Sequence, residues 1–234
     1  MPDAILKLHS GRNLAYAEYG DPKGLPLFFF HGWPSSRLQG EILEKSALKL
    51  GVRVIAPDRP GIGLSDFEPN RRLIDWPCVI EELAAHLGFH RFHLLGVSGG
   101  GPYALVTARA LPDRVLGATI VCGAPALSEF GNEGLLWAYR LAIWSQRNIP
   151  FALAIGLRAA GWTAGRKLHE WPMNWLSKLY PSADRDALSD PIHHQMMMLS
   201  SRHALFGDPR ALTHDGLIYC AAWGFDLSKI AVPI

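Results

Sequence analysis

Short apolar runs separated by helical patterns occupy the first half of the chain and restrict its fold most strongly. Four runs are almost wholly apolar, as expected for strands that are covered on both faces of a sheet. They are PLFFFHG (26–32), VRVIAPD (52–58), RFHLLGV (91–97) and ATIVCG (118–123). Between them, apolar residues recur at helical spacings, as in the segment from Leu73 that Gly88 ends. Strand–helix–strand repetition predicts an α/β fold, with a mostly parallel sheet and helices on both faces.

Other patterns extend this outline. ILKLHS (5–10) and NLAYAEYG (13–20) flank a Ser-Gly-Arg turn and predict a hairpin. Residues 36–51 predict one helix that ends at its final glycine. The strand patterns stop near residue 126, and residues 127–228 are mostly helical in pattern. Loops are predicted there near Asn148-Ile149-Pro150, Trp171-Pro172 and Tyr180-Pro181.

The helical stretch is rich in large apolar side chains, holding six of the eight tryptophans and four of the five methionines. Two interpretations are open. These side chains pack the helices together, or they line the underside of a lid over an apolar pocket. The two interpretations are compatible with each other.

Composition and charge argue against several classes of protein. The 234 residues fit one domain, and 49% are hydrophobic, which is enough for a sizeable core. The 23 basic and 21 acidic residues give a net charge of +2, which argues against a nucleic-acid partner. Three widely spaced cysteines predict no disulfide framework and favour a reducing, cytoplasmic location. The N-terminal residues do not resemble a secretory signal, and no apolar run is long enough to span a bilayer.

The stretch GVSGGGPYAL (96–105) places a serine between glycines, directly after a buried strand and before a helix. A sharp strand-to-helix turn of this kind strains the serine backbone and lifts its hydroxyl above the sheet edge. Gly96 and Gly100 remove side chains that would collide in such a turn. The pattern predicts Ser98 as a catalytic nucleophile. A glycine-rich turn with a capping serine is the structural alternative.

A serine nucleophile needs hydrogen-bond donors for the oxyanion that forms during acyl transfer. The backbone N–H of Gly99, directly after Ser98, is the first expected donor. The second should come from the loop after the PLFFF strand, which begins HGWP (31–34). Because Pro34 has no N–H, we predict the backbone N–H of Trp33 as that donor.

Two other residues of the HGWP loop are expected to support the site. Gly32 lets the backbone approach a substrate closely. We expect His31 to hold the loop in place and not to take part in the chemistry. His193 and His194 could suggest a metal, but no third ligand lies at a useful spacing. We therefore predict no metal and no cofactor.

Four motifs follow one another along the first half of the chain. They are HGWPSS (31–36), APDRPGIGLSD (56–66), GVSGGGPYAL (96–105) and LPDRVLGATIVCGAP (111–125). In order and spacing they resemble the α/β-hydrolase superfamily, particularly its lid-bearing serine hydrolases of the esterase, lipase and peroxidase-like group. Relatives that dehalogenate or open epoxides use an aspartate where this chain has Ser98, which argues against both reactions.

The resemblance also implies how the chain is divided. It implies a hydrolase core at residues 1–126 and a helical lid with a return helix at residues 127–228. Residues 229–234 would open a further core strand. A small-molecule substrate is implied, with no nucleic acid and no membrane span, whereas the oligomeric state stays open.

In this superfamily, the serine is followed along the chain by an Asp or Glu and then by a His. The resemblance puts both partners beyond residue 234, because AVPI (231–234) looks like the opening of the seventh strand. We therefore expect a chain that is truncated before that strand. Histidines after Ser98 are weaker candidates for the base, and Glu129 and Asp226 are weaker candidates for the acid. The histidines are His169, His193, His194, His203 and His214.

These observations lead to one main hypothesis and two alternatives. The main hypothesis is a serine hydrolase that acts on an ester or related acyl bond of a small apolar substrate. Without its triad partners, this chain alone would be weakly active or inactive, because an unassisted serine is a weak nucleophile. One alternative is a non-catalytic protein that binds small molecules in the hydrolase pocket. The other keeps the enzyme but changes the reaction to carbon–carbon hydrolysis or perhydrolysis.

Overall fold

The computed structural model describes residues 4–135, 137–165 and 182–234. Six strands form one sheet in the order β1-β2-β4-β3-β5-β6. Their bounds are Ala4–Lys7 (β1), Asn13–Gly20 (β2), Leu25–Phe30 (β3), Val52–Pro57 (β4), Phe92–Val97 (β5) and Val115–Val121 (β6). Strand β3 is parallel to β4 and β5, and β5 is parallel to β6, whereas β2 is antiparallel to β1 and β4. The predicted α/β fold with a mostly parallel sheet is confirmed, as is the hairpin of β1 and β2.

Nine α-helices lie within the described part of the chain. They are Glu44–Leu50 (α1), Trp76–His86 (α2), Gly101–Ala110 (α3), Leu127–Phe130 (α4), Trp137–Asn148 (α5), Pro150–Gly165 (α6), Ser182–Leu188 (α7), Pro191–Phe206 (α8) and Pro209–Cys220 (α9). Helices α2, α3, α8 and α9 each carry a proline in the first turn, where its missing N–H costs no helical hydrogen bond. None of the helices in the described ranges is long and apolar enough to cross a bilayer.

Alternate residues of β3 face opposite sides of the sheet. Phe28 and Phe30 belong to one core with apolar residues of α2 and α3, whereas Phe29 joins a second core with Ala47 of α1. All three phenylalanine side chains are fully buried, and each such burial stabilises the fold by about 1.5–3 kcal/mol. The sheet therefore has helices on both faces, as predicted.

The pairing of β3 with β5 determines where the functional loops meet. These two strands are parallel neighbours, and Phe30 lies opposite Gly96 in their register. Because the carboxyl ends of parallel strands lie at one edge of a sheet, the HGWP loop after β3 and the turn at Ser98 after β5 lie next to each other.

The predicted single helix at residues 36–51 is instead a 3₁₀ segment, Arg37–Leu43, followed by α1. The 3₁₀ segment lies directly on the sheet. A β-carbon at Gly40 would come within 2.8 Å of the Tyr19 ring and 2.9 Å of Ala56 Cβ. The backbone N–H of Arg37 also donates to the buried carboxylate of Asp58 at 2.6 Å. These tertiary contacts override the helical pattern.

The last residues do not form the strand that the sequence predicts. Leu227–Lys229 is a 3₁₀ turn, and no strand follows it. The Pro233 carbonyl accepts one hydrogen bond, at 2.9 Å, from the Ala118 N–H of β6. Pro233 has no N–H with which to continue a ladder.

Helices are the only regular secondary structure in the described residues from 127 to 228. The predicted break at Asn148-Ile149-Pro150 is present, because α5 ends at Asn148 and α6 begins at Pro150. The loops predicted near Trp171-Pro172 and Tyr180-Pro181 lie outside the described residues. The division into core and lid at residue 126 stays a prediction.

Candidate active site

The chain turns sharply at Ser98, between the end of β5 and the start of α3. Ser98 has a φ of +50°, which is rare and strained for a residue with a side chain. The glycines on either side are required by the packing of this turn. A β-carbon at Gly96 would come within 2.7 Å of the Gly100 carbonyl oxygen, and one at Gly100 would overlap the carbonyl oxygen of Phe30.

Two peptide groups next to Ser98 are each held by their carbonyl oxygen. The Ser98 carbonyl accepts a hydrogen bond from the Ala124 N–H at 2.9 Å. The Gly32 carbonyl accepts one from Nη2 of Arg59, also at 2.9 Å. In a trans peptide, the C=O and the following N–H point in opposite directions. These two hydrogen bonds therefore fix the directions of the Gly99 and Trp33 N–H groups.

The guanidinium of Arg59 belongs to a buried network that crosses from the sheet to α9. Its Nη1 donates to the His31 carbonyl at 2.6 Å, and its Nε donates to the Asp215 carboxylate at 2.8 Å. Asp215 also pairs with Arg71 and accepts a hydrogen bond from the Tyr103 hydroxyl at 3.0 Å. Asp215, Arg59 and Arg71 are all buried. A residue of α9 thus helps to hold the arginine that orients the HGWP loop.

Charge in this network changes the acidity of Asp215. Burial opposes ionisation of its carboxyl, but the charges and hydrogen bonds of Arg59 and Arg71 outweigh burial and lower the pKa of Asp215 to about 2. The carboxylate is therefore ionised in the folded protein at neutral pH.

The lowered pKa of Asp215 predicts a dependence of stability on acid. Between the ordinary pKa of 3.8 and the folded value of about 2, the unfolded chain binds the proton more readily. The stabilisation from ionised Asp215 is complete above about pH 4 and is lost as the pH falls towards about 2. The gap in unfolding free energy between wild type and Asp215→Asn should therefore narrow by up to about 2 kcal/mol in that interval. Urea unfolding at a series of pH values measures this gap, and a gap that is constant down to about pH 3 would contradict the prediction.

His31 is fully buried beneath the HGWP loop. Burial, reinforced by the charge of Arg59, holds the pKa of His31 well below its usual value. Its Nδ1 lies 3.0 Å from the Gly32 carbonyl, and its Nε2 lies 3.5 Å from the Arg59 N–H. A neutral ring with its proton on Nδ1 fits both contacts, and this geometry suits a histidine that holds the loop.

The Tyr219 side chain of α9 reaches the turn from the other side. Its hydroxyl donates to the Gly99 carbonyl at 3.0 Å. A β-carbon at Gly99 would come within 2.5 Å of that hydroxyl oxygen and 3.0 Å of Trp33 Cβ. A larger residue at position 99 would therefore displace the Tyr219 side chain of α9.

A cavity of about 290 Å³ opens at Ser98. Gly99 and Trp33 line it with Ser98, and a β-carbon at Gly32 would lie 3.6 Å from Ser98 Cβ. The structure thus brings together all the residues that the sequence predicts for the nucleophile and its donors. Most of the remaining lining is apolar and comes from the helices that follow β6. These apolar residues include Leu127, Ala142, Ile143 and Leu153.

Comparison with known proteins identifies the family of this chain. A sequence model of the α/β-hydrolase fold family matches residues 26–170, more than half of the chain. The chain belongs to this family. The resemblance stated from the four motifs is therefore confirmed at the level of the superfamily.

Two curated proteins illustrate the similarity in sequence. The non-heme chloroperoxidase of Streptomyces lividans is 31% identical over 180 residues, which cover 69% of this chain and 64% of that protein. The bifunctional esterase/perhydrolase of Acinetobacter calcoaceticus is 31% identical over 133 residues, covering 53% and 47%. The matches therefore span 64% and 47% of these two relatives' lengths. Among solved structures, the bromoperoxidase of Bacillus anthracis has a TM-score of 0.66 at 19% identity, covering 99% of this chain and 79% of that one.

In this α/β-hydrolase chain, no histidine or carboxylate of the described residues lines the cavity at Ser98. His193 is exposed, and Nε2 of His214 contacts the Arg71 carbonyl at 2.8 Å. His203 lies against Gly63 in the loop after β4. Glu129 is exposed on α4. None of these weaker candidates for base or acid is brought to Ser98.

The other weaker candidates give the same result where they are described. His194 is half-buried on α8 but does not line the cavity. Asp226 is exposed and caps the 3₁₀ turn that follows α9, accepting from the Ser228 N–H at 2.9 Å. His169 lies outside the described residues. Within the described ranges, no group of three or more His, Cys, Asp or Glu side chains could hold a metal ion.

Sequence reasoning missed four residues that shape this α/β-hydrolase site. Two of them belong to α9: Asp215 pairs with Arg59, and Tyr219 donates to the Gly99 carbonyl. Arg59 orients the HGWP loop, and Gln146 of α5 lines the cavity. Arg59 stands in the quoted APDRPGIGLSD motif, so a signal for it existed. No motif marks the other three, because their partners lie far away along the chain.

Proposed function

We propose that this chain carries the nucleophile, the oxyanion donors and the substrate cavity of a serine hydrolase of the α/β-hydrolase fold. The bond cleaved is an ester or related acyl bond in a small, largely apolar substrate. The observation that carries this proposal is the strained backbone of Ser98 at the mouth of a cavity, beside two peptide groups held by their carbonyls. The relatives include an esterase/perhydrolase, which supports the reaction class.

The proposed reaction begins with attack of the Ser98 hydroxyl oxygen on the substrate carbonyl. A bond forms from Oγ to the carbonyl carbon, and negative charge moves to the carbonyl oxygen. The N–H groups of Gly99 and Trp33 donate to that oxyanion. Because their directions are fixed before substrate binds, little reorganisation is needed at this step. The oxyanion then collapses, the bond to the leaving group breaks, and the leaving alkoxide takes up a proton to become the alcohol. Water next adds to the acyl carbon, the bond to Ser98 Oγ breaks, and the acid and the Ser98 hydroxyl are released.

The serine proton needs an acceptor during this attack. No histidine or carboxylate among the described residues lines the cavity, so these residues offer no proton acceptor there. In subtilisin, loss of the catalytic histidine alone lowers kcat roughly 10⁶-fold. We therefore propose weak activity for the chain alone. The hypothesis that the base and acid follow residue 234 stays a prediction.

A second candidate function is supported by the same observation about the cavity. A protein without an assisting base could use the cavity to bind a small molecule without cleaving it. Perhydrolysis and carbon–carbon hydrolysis remain variants of the first candidate, and the peroxidase and perhydrolase names of relatives favour perhydrolysis.

A fluorophosphonate probe separates catalysis from simple binding. The Ser98 oxygen displaces fluoride from phosphorus, so we expect slow covalent labelling at Ser98, located by peptide mass spectrometry. Ser98→Ala should abolish the labelling. The exposed Ser128 of α4 offers a matched control, and Ser128→Ala should label like wild type. Absence of labelling in a folded chain would contradict the catalytic proposal and favour the binding protein.

A further inference from the structure

Gln146 is a buried polar side chain in the cavity wall. Helix α5 turns one face towards the cavity, and that face carries Tyr139, Ala142, Ile143 and Gln146. The Gln146 residue is only 3% exposed. Neither its amide nitrogen nor its amide oxygen has a hydrogen-bond partner among the described residues. Buried amides without partners are rare in native proteins, because burial removes their hydrogen bonds to water.

The space beside this amide is kept open by a glycine. Gly216 of α9 also lines the cavity, and a β-carbon there would come within 3.4 Å of Gln146 Oε1. Glycine in a helix interior is less favourable than alanine, and α9 carries one at this position. The amide therefore lines the cavity next to Gly216, which has no side chain to cover it.

The remaining wall determines what kind of group can occupy that space. No cationic or carboxylate side chain of the described residues lines the cavity, so a charged group would lack a counter-ion. The Tyr219 hydroxyl, which also lines the cavity, already donates to the Gly99 carbonyl. A neutral group that both donates and accepts hydrogen bonds matches the Gln146 amide, whose NH₂ donates and whose oxygen accepts.

We propose that Gln146 recognises a neutral hydrogen-bonding group, of the carboxamide or hydroxyl class, on the part of the substrate remote from the bond that is cleaved. This rests on the proposed function, because Ser98 and Gln146 line the same cavity. The substrate is then an acyl compound with an apolar body and one polar end. A carboxamide would donate one hydrogen bond to Gln146 Oε1 and accept one from Gln146 Nε2, so both atoms would be satisfied.

Matched probes test this proposal by binding, without turnover. The Ser98→Ala chain is titrated by calorimetry with p-nitrophenyl esters of dicarboxylic acid monoamides of increasing length. Each is paired with an isosteric ester that carries an isopropyl group in place of the carboxamide. At the best length, we expect the carboxamide ester to bind about tenfold more tightly, because the isopropyl ester leaves the buried amide unpaired.

Substitution of Gln146 should remove this preference. Gln146→Leu should bind the two esters equally or prefer the isopropyl ester, and it should unfold at no lower temperature, because it removes an unpaired buried amide. The exposed Gln195 of α8 provides the control, and Gln195→Leu should keep the preference. No preference in the parent chain, a preference that survives Gln146→Leu, or no binding of either ester would overturn the proposal.

The outcome is separable from that of the proposed function. Labelling of Ser98 by the fluorophosphonate probe without a carboxamide preference would reject the role of Gln146 and leave the hydrolase proposal standing. A carboxamide preference that depends on Gln146, without labelling of Ser98, would reject catalysis and leave the binding site standing.

Discussion

Replacing Asp215 by Ala should lower the free energy of unfolding by about 3–5 kcal/mol. The substitution leaves the guanidinium groups of Arg59 and Arg71 buried without their shared carboxylate. Burying a charge without a partner is far more costly than the net gain from forming the pair. Urea unfolding followed by tryptophan fluorescence measures the loss.

The same substitution should slow the fluorophosphonate labelling of Ser98. Arg59 donates to the Gly32 carbonyl, whose peptide group also contains the Trp33 N–H. Without Asp215, the Arg59 guanidinium would lose the ion pair that orients it. Asp113 is exposed in a turn, so Asp113→Ala should change neither stability nor labelling measurably. A loss below about 1 kcal/mol in Asp215→Ala would show that the network is not a main source of stability.

Gly100→Ala should destabilise the chain by at least about 3 kcal/mol or prevent folding. The added β-carbon would overlap the Phe30 carbonyl oxygen and come within 2.9 Å of the His31 carbonyl oxygen. Both obstacles are backbone atoms at the start of the HGWP loop, so no side chain can rotate away to make room. Relief would require β3 and the turn after β5 to move apart.

A second glycine supplies the comparison for this prediction. Gly156 lies exposed in α6, and a β-carbon there would have no neighbour within 4 Å. Gly156→Ala should therefore be neutral or stabilise the helix by up to about 1 kcal/mol. Expression level, circular dichroism and urea unfolding of both variants measure the contrast. Equal stability of the two variants would mean that the turn after β5 can relax, against the geometry described.

The sheet and the turn at Ser98 could be predicted because their signals are local. Apolar runs mark the buried strands, and glycines flank the one serine that must bend sharply after β5. The alternation of strands and helices predicts a mostly parallel sheet, whereas the pairing of β3 with β5 comes from the structure. Short-range patterns are enough to bring Ser98 and the HGWP loop to one edge of the sheet.

The rest of the site depends on contacts between distant parts of the chain. Asp215 lies 156 positions from Arg59 and 144 from Arg71, and Tyr219 lies 120 positions from Gly99. No periodicity or motif records such pairings. The 3₁₀ segment before α1 escaped prediction for a similar reason, because contacts with Tyr19 and Asp58 override its helical pattern.

The ion pair of Asp215 has a consequence for protein engineering. A chimera could replace the helices after β6 with those of a relative. Arg59 and Arg71 lie in the part of the chain that such a chimera would keep. Asp215, their only carboxylate partner among the described residues, lies in α9 and would be replaced. A donor without an acidic residue at that position would give a hybrid with two buried, unpaired arginines next to its HGWP loop. Whether the helices of a relative are compatible with this sheet therefore depends first on whether they carry an acidic residue at the position of Asp215.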